Sequence, residues 1–174
     1  SNHYQITRVG EGIAFVNYDD KLLLKLSEFI ERITYGNSGF LKGITTKNTP
    51  YLSINFNNTE VNSKLIGEYQ FSNIMLAVCI GNYLNIKDSN IKHAIENYIP
   101  ENNRSEILQT RDNTLILDAY NANPSSMKAM ITSFSKQDYV NKLCILGDML
   151  ELGEHTINEH SAILDLVEAL NLEA

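Results

Sequence analysis

Two stretches of this chain carry the residue types that chemistry needs. "LILDAYNANPSS" (115–126) runs from apolar residues into Asp118, Tyr120, Asn121 and Asn123, with Pro124 following. "LCILGDMLELGE" (143–154) repeats the plan, with Asp148 after a glycine. An apolar run that ends in turn formers, then proline at a first helical position, reads as a strand-to-helix joint. Open α/β sheets bind their ligands at such joints, at the carboxyl ends of strands. A carboxylate there accepts ribose hydroxyls, while asparagine amides and a helix N-terminus donate to phosphate oxygens. Each of these residues alone also suits a turn or a cap. Four polar residues within six positions, beside a second strand end of the same kind, favour a site.

Other stretches fail on inspection. "VGEGIAF" has two of the three glycines of a dinucleotide fingerprint, but Phe15 stands where the third belongs and a strand follows. "GNSGFLKGITTK" fits no G-x-x-x-x-G-K-[ST] window. His155 and His160, five apart among Glu151, Glu154 and Glu159, point to a solvated acidic face rather than a metal site. Cys79 and Cys144 lie far apart within apolar runs and read as reduced core thiols.

The elements that must position these residues follow from patterning. A strand over 12–16 leads through "DD" into an amphipathic helix, "DDKLLLKLSEFIERI", with Asp20 near its cap. "YLSINF" and "SKLIGEY" read as two strands of an antiparallel excursion within 45–69. Residues 70–86 are too uniformly apolar for a surface helix and read as a buried one. "DSNIKHAIENYI" gives another helix, stopped by Pro100. After "PENNRSE" the pattern restarts, with strands over 106–110, 114–118 and 142–146 and helices over 124–137 and 157–171. A boundary near 100–103 divides the chain into 1–102 and 103–174, and the second part is small for a sheet covered on both faces.

Composition narrows the classes. The 174 residues are 43% hydrophobic and 20% charged, which suits a cored globular protein. A formal charge of −7 with no basic cluster argues against nucleic acid as partner. No window approaches a membrane span and the N-terminus has no signal-peptide core, so a cytoplasmic setting is expected.

Taken in order, "DAYNANPSSM" and "LGDMLELGE" resemble the Mur ligase family, and specifically its D-alanyl-D-alanine-adding members. "VNYDD" is similar to the strand-end motif of the family's ATP-binding central domain. "GEYQFSNIMLA" is similar to its G-x-[HY]-N-x-x-N-x-L-A helix start, and "NNRSE" to the arginine segment that opens its C-terminal domain. The resemblance implies an α/β fold: the C-terminal part of a Mur ligase central ATP-binding domain, then the first half of a Rossmann-like C-terminal domain. It also implies ATP-dependent amide bond formation through an acyl phosphate, in peptidoglycan precursor synthesis. The substrates would be UDP-N-acetylmuramoyl-tripeptide and D-alanyl-D-alanine, and the enzyme a monomer.

By matching position, Asn73 would contact the adenine and Asp118 the ribose, and Arg104 would reach the ATP phosphates on domain closure. Tyr120, Asn121 and Asn123 would lie near the phosphates or the acceptor dipeptide. Gln70 departs from the family asparagine at the helix start. The family's phosphate loop, magnesium ligands, modified lysine and UDP-binding domain lie ahead of the matched residues. The resemblance therefore implies that these 174 residues alone are inactive. Two other readings stay open: another Mur or folylpolyglutamate-type amide ligase, and a non-catalytic nucleotide-binding or interaction module.

Overall fold

The computed structural model describes residues 12–101 and 103–173, so Gly10 of "VGEGIAF" and Asn102 of "NNRSE" lie outside the described residues. The chain divides into two compact units. One comprises Ser1–Lys47, Leu52–Ser63 and Tyr69–Tyr98; the other comprises Asn48–Tyr51, Lys64–Glu68 and Ile99–Ala174.

The first unit is a five-stranded sheet in the order β1 to β5, with three α-helices. β1 (Ala14–Asn17) and β2 (Arg32–Gly36) pair in parallel, linked by α1 (Lys21–Leu26). The Asp20 carboxylate caps α1 by accepting from Leu22 N (2.9 Å) and Leu23 N (3.0 Å). The helix expected through Ile33 stops at Leu26 because its C-terminal carbonyls are taken by side chains. Ser27 Oγ donates to Leu23 O (2.6 Å), and Arg32 Nη1 donates to Leu24 O, which a continuing helix would offer to Glu28. "RITYG", rich in β-branched and aromatic residues, then forms a strand.

Glycine shapes the next turn. Gly36 has φ +129°, and a side chain at Gly39 would press on the Tyr35 backbone at 2.7 Å. β3 (Leu41–Lys47) then lies parallel to β2 over two residues. β3, β4 (Ser53–Phe56) and β5 (Thr59–Asn62) form an antiparallel meander, with Asn57 and Asn58 in the left-handed region at the β4–β5 turn. The second strand of the expected excursion is thus "TEVN" and not "SKLIGEY", whose Glu68 and Tyr69 begin a 3-10 turn, Glu68–Gln70.

α2 (Phe71–Tyr83) packs on β1, β2 and β3. It buries Ile74, Met75, Val78 and Cys79, as its apolar composition requires. α3 (Asp88–Asn97) packs against α2 and β5. Burial pushes the Cys79 thiol up, which keeps it protonated and a poor nucleophile.

In the second unit, β6 (Glu106–Gln109) and β7 (Thr114–Leu117) form an antiparallel hairpin. Its turn is closed by Thr110 N to Asn113 O (2.8 Å) and Asn113 N to Thr110 Oγ1 (3.0 Å). The sequence reading put Asp118 at the edge of a parallel sheet, but among the described residues β7 pairs only with antiparallel β6. Likewise 142–146 forms no full strand: Leu143 makes a single parallel bridge to Glu173. α4 (Pro124–Ser135) and α5 (Thr156–Ala169) pack on each other. Their core is Ile131, Met149, Ile163 and Val167.

The α2–α3 contact yields a test. A methyl group at Gly81 would meet Ile91 Cδ1 at 2.8 Å and Cγ1 at 2.9 Å. Alanine gains about 1 kcal/mol of helix propensity over glycine, but overpacking a core costs about 1–3 kcal/mol. Gly81→Ala is therefore expected to lower the thermal midpoint by circular dichroism. An unchanged or raised midpoint would show that α3 shifts freely on α2.

Candidate functional site

The polar turn after β7 is tied to the segment that precedes β6. Asp118 Oδ1 accepts from Ser105 N (2.9 Å) and from Ser105 Oγ (3.3 Å). One residue on, Ala119 N donates to Asn103 O (2.8 Å). Asn103 and Ser105 both have left-handed φ, 56° and 54°, so the chain reverses sharply around Arg104. Ser105 is 1% exposed, which makes the carboxylate the partner of a buried N–H.

This latch turns Arg104 toward Tyr120. The guanidinium carbon sits 3.5 Å from the ring centroid, a cation–π stack. No acidic side chain lies within ion-pair distance of Arg104 among the described residues. Burial pushes the Asp118 carboxyl up, against the two Ser105 hydrogen bonds, which pull it down. Both bonds to Ser105 use Oδ1.

Asn123 caps α4. Its Oδ1 accepts from Ser126 N (3.0 Å) while Ser126 Oγ accepts from Asn123 N (3.2 Å), a reciprocal capping box with Pro124 as first helical residue. Asn121 contributes its carbonyl, 3.4 Å from the Ser126 hydroxyl. The Asn123 side-chain amine is outside the box. The structure thus brings Arg104, Asp118, Tyr120, Asn121 and Asn123 into one local arrangement in the second unit. Asn73 belongs to the first unit, on the first turn of α2, where its Nδ2 donates to Gln70 Oε1 (2.8 Å). The longer Gln70 side chain reaches forward to Asn73 instead of capping the helix.

The sequence placed His160 with His155 on a solvated acidic face, and the structure gives it an anchoring role instead. Its Nε2 accepts from Met149 N (3.0 Å) and its Nδ1 lies 2.8 Å from Thr156 O, so both ring nitrogens have backbone partners. Asp148 Oδ1 stands 3.6 Å from Nε2. His160 thereby anchors the "GDMLELG" turn, which passes through left-handed Glu151 and Gly153 while Met149 enters the core. A histidine one helical turn inside a helix that follows a glycine-containing turn was the available signal. Asp19 is a second such residue: its Oδ2 accepts from Asn37 N (2.8 Å) and Asn37 Nδ2 (3.0 Å), joining the β1 and β2 ends.

Residues 103–172 match the family model described as "Mur ligase, glutamate ligase domain". A similar protein is the UDP-N-acetylmuramoyl-tripeptide--D-alanyl-D-alanine ligase of Bacillus subtilis, 36% identical over 92 residues, which are 52% of this chain and 20% of that one. Residues 103–172 therefore resemble a Mur ligase domain. The α/β architecture agrees. Over 95% of this chain and 39% of the other, the structure superposes on MurF from Acinetobacter baumannii with TM-score 0.83 and 23% identity. On the MurF ligase of Thermotoga maritima in complex with ADP the TM-score is 0.73, at 19% identity over 90% of this chain and 38% of that one. The chain spans between a fifth and two fifths of the length of these Mur ligases.

Two measurements follow. The folded Asp118 pKa lies above the ordinary 3.8, so its contribution to stability is whole below 3.8 and is lost as pH rises through the raised value. Asp118→Asn keeps an acceptor for Ser105 and has no proton to lose. Urea titrations across that window should show the substitution flattening the pH dependence, with profiles of equal slope as the contrary result. Asp118→Ala, by stranding a buried N–H, should cost about 1–3 kcal/mol. For the second turn, His160→Ala should cost about 1 kcal/mol and His160→Gln, which can still accept from Met149 N, less than that. Equal losses on thermal melting would mean that the ring serves only to fill space.

Proposed function

We propose that the chain forms part of an ATP-dependent amide ligase of peptidoglycan precursor synthesis, the one that adds D-alanyl-D-alanine to UDP-N-acetylmuramoyl-tripeptide. One observation carries the reading. Asp118 commits Oδ1 to the Ser105 latch, next to an arginine that has no acidic partner among the described residues. A carboxylate acceptor and a guanidinium fork held together suit a nucleotide, the first for ribose hydroxyls and the second for phosphates.

In this reading Asp118 Oδ2 accepts from the ribose and the Arg104 N–H groups neutralise phosphate charge. The N-terminus of α4, with the Asn121 and Asn123 amines, adds further donors for phosphate or for the dipeptide carboxylate. Asn73, through the amide oxygen left over from its bond to Gln70, reads the adenine. The terminal carboxylate of the tripeptide attacks the γ-phosphorus of ATP, forming an acyl phosphate and releasing ADP. The amine of D-alanyl-D-alanine then attacks the acyl carbon; phosphate leaves, the nitrogen loses a proton and the amide remains. Protein residues act by positioning and charge stabilisation.

The D-alanyl-D-alanine assignment is supported by "DAYNANPSSM" with "LGDMLELGE" and by the activity named for the Bacillus subtilis relative. Nucleotide binding is supported by the ADP complex of the Thermotoga maritima neighbour. Magnesium does not fit the described residues, among which no three His, Cys, Asp or Glu side chains come together, so no step here runs through it. No helix among the described residues is long and apolar enough to cross a membrane.

The test is phosphate release from Mg-ATP by the full-length ligase. It should require both UDP-muramoyl-tripeptide and D-alanyl-D-alanine, and the 174-residue chain alone should give none. Loss of a hydrogen bond to a charged group is worth roughly 10- to 100-fold in kcat/KM for ATP, and Asp118→Asn should lose that much while staying folded. Turnover with glutamate or L-alanine in place of the dipeptide would assign a sister ligase. No nucleotide-dependent turnover at all would leave a binding module.

A further inference from the structure

We infer that Tyr120 is a positioning residue for Arg104, carrying the guanidinium on its ring so that the N–H groups face a phosphate, and that it acts through Arg104 rather than by touching the nucleotide. The inference rests on the assignment of Arg104 to ATP phosphates made above. It accounts for an aromatic residue, 61% exposed, in the middle of a polar turn.

The geometry has three parts. First, the backbones under both side chains are fixed by one latch. Ser105 N binds Asp118 Oδ1 at 2.9 Å and Ala119 N binds Asn103 O at 2.8 Å, so Arg104 and Tyr120 each lie one residue from a bonded partner. Second, the stack at 3.5 Å engages only the flat face of the guanidinium. Its five N–H donors lie in the plane of the group and remain available for oxyanions. Third, no carboxylate among the described residues neutralises Arg104. An arginine serving the fold alone would be paired or hydrogen-bonded to backbone carbonyls, as Arg32 is to Leu24 O. Resting on a ring, Arg104 keeps its charge unspent and gives up rotamer freedom before ligand arrives, which lowers the entropic cost of binding.

The alternative role for Tyr120 is a hydroxyl contact to the nucleotide or dipeptide, and phenylalanine separates the two. In the full-length ligase, Tyr120→Ala should lower kcat/KM for ATP roughly three- to fivefold, the worth of an exposed cation–π contact. Tyr120→Phe should restore most of that loss. In an Arg104→Ala background, Tyr120→Ala should add nothing further. Upfield ring-current shifts of the Arg104 δ-protons should persist in the phenylalanine variant and vanish in the alanine variant, with the thermal midpoint unchanged in both.

A phenylalanine variant as poor as alanine, or equal losses with and without Arg104, overturns the positioning role and leaves the phosphate assignment standing. Wild-type ATP kinetics in Arg104→Ala overturns the phosphate assignment itself, and the positioning role with it.

Discussion

The second unit turns on one carboxylate, that of Asp118. Oδ1 of Asp118 closes the reversal at Asn103–Ser105 by meeting a buried N–H, and a buried donor without a partner costs more than an ordinary hydrogen bond contributes. The reversal needs that help because the non-glycine residues on either side of Arg104, Asn103 and Ser105, both have left-handed φ, a conformation that is unfavourable unless the surroundings enforce it. Burial meanwhile pushes the carboxyl toward protonation. Desolvation thus opposes the charge that ligand binding requires, while the Ser105 N–H and O–H groups support it. A ligand hydroxyl donating to Oδ2 would act in the same direction as those two bonds.

The neighbouring residues follow the same logic. Asn123 commits its oxygen to the capping box and keeps its amine. Tyr120 commits its face to Arg104. The side chains of Asp118 and Asn123 thus each commit one oxygen to holding the backbone of "DAYNANP".

Much of this was legible in the sequence, and the failures have physical causes. The helices over 71–83, 88–97, 124–135 and 156–169 were visible from periodicity, caps and proline. The joint at Asp118–Pro124 was visible because proline and asparagine have few other uses there. The helix over "DDKLLLKLSEFIERI" was overextended, since its periodicity continues past Leu26; the stop comes from Arg32 reaching back, a contact between residues eight apart. "LKGITTK" went unread as a strand because its glycine and lysines mask a weak alternation. Gly43 is there so that Met75 of α2 can lie against the sheet, a tertiary reason that no local window contains. The Ser105–Asp118 bond spans thirteen residues, so the sequence showed the carboxylate and not what it holds.

Gln70 shows how a departure from a family pattern can be compensated. The extra methylene carries its amide one helical turn forward, where Oε1 meets Asn73 Nδ2 at 2.8 Å. An asparagine at position 70 would have a shorter reach and a stronger preference for capping its own helix, and α2 has no side-chain cap here. The glutamine therefore exchanges a cap for an orienting bond: it holds the Asn73 amide with the oxygen side available, one atom committed and one presented. Asp118 and Asn123 in the other unit likewise each commit one side-chain oxygen to holding a neighbour.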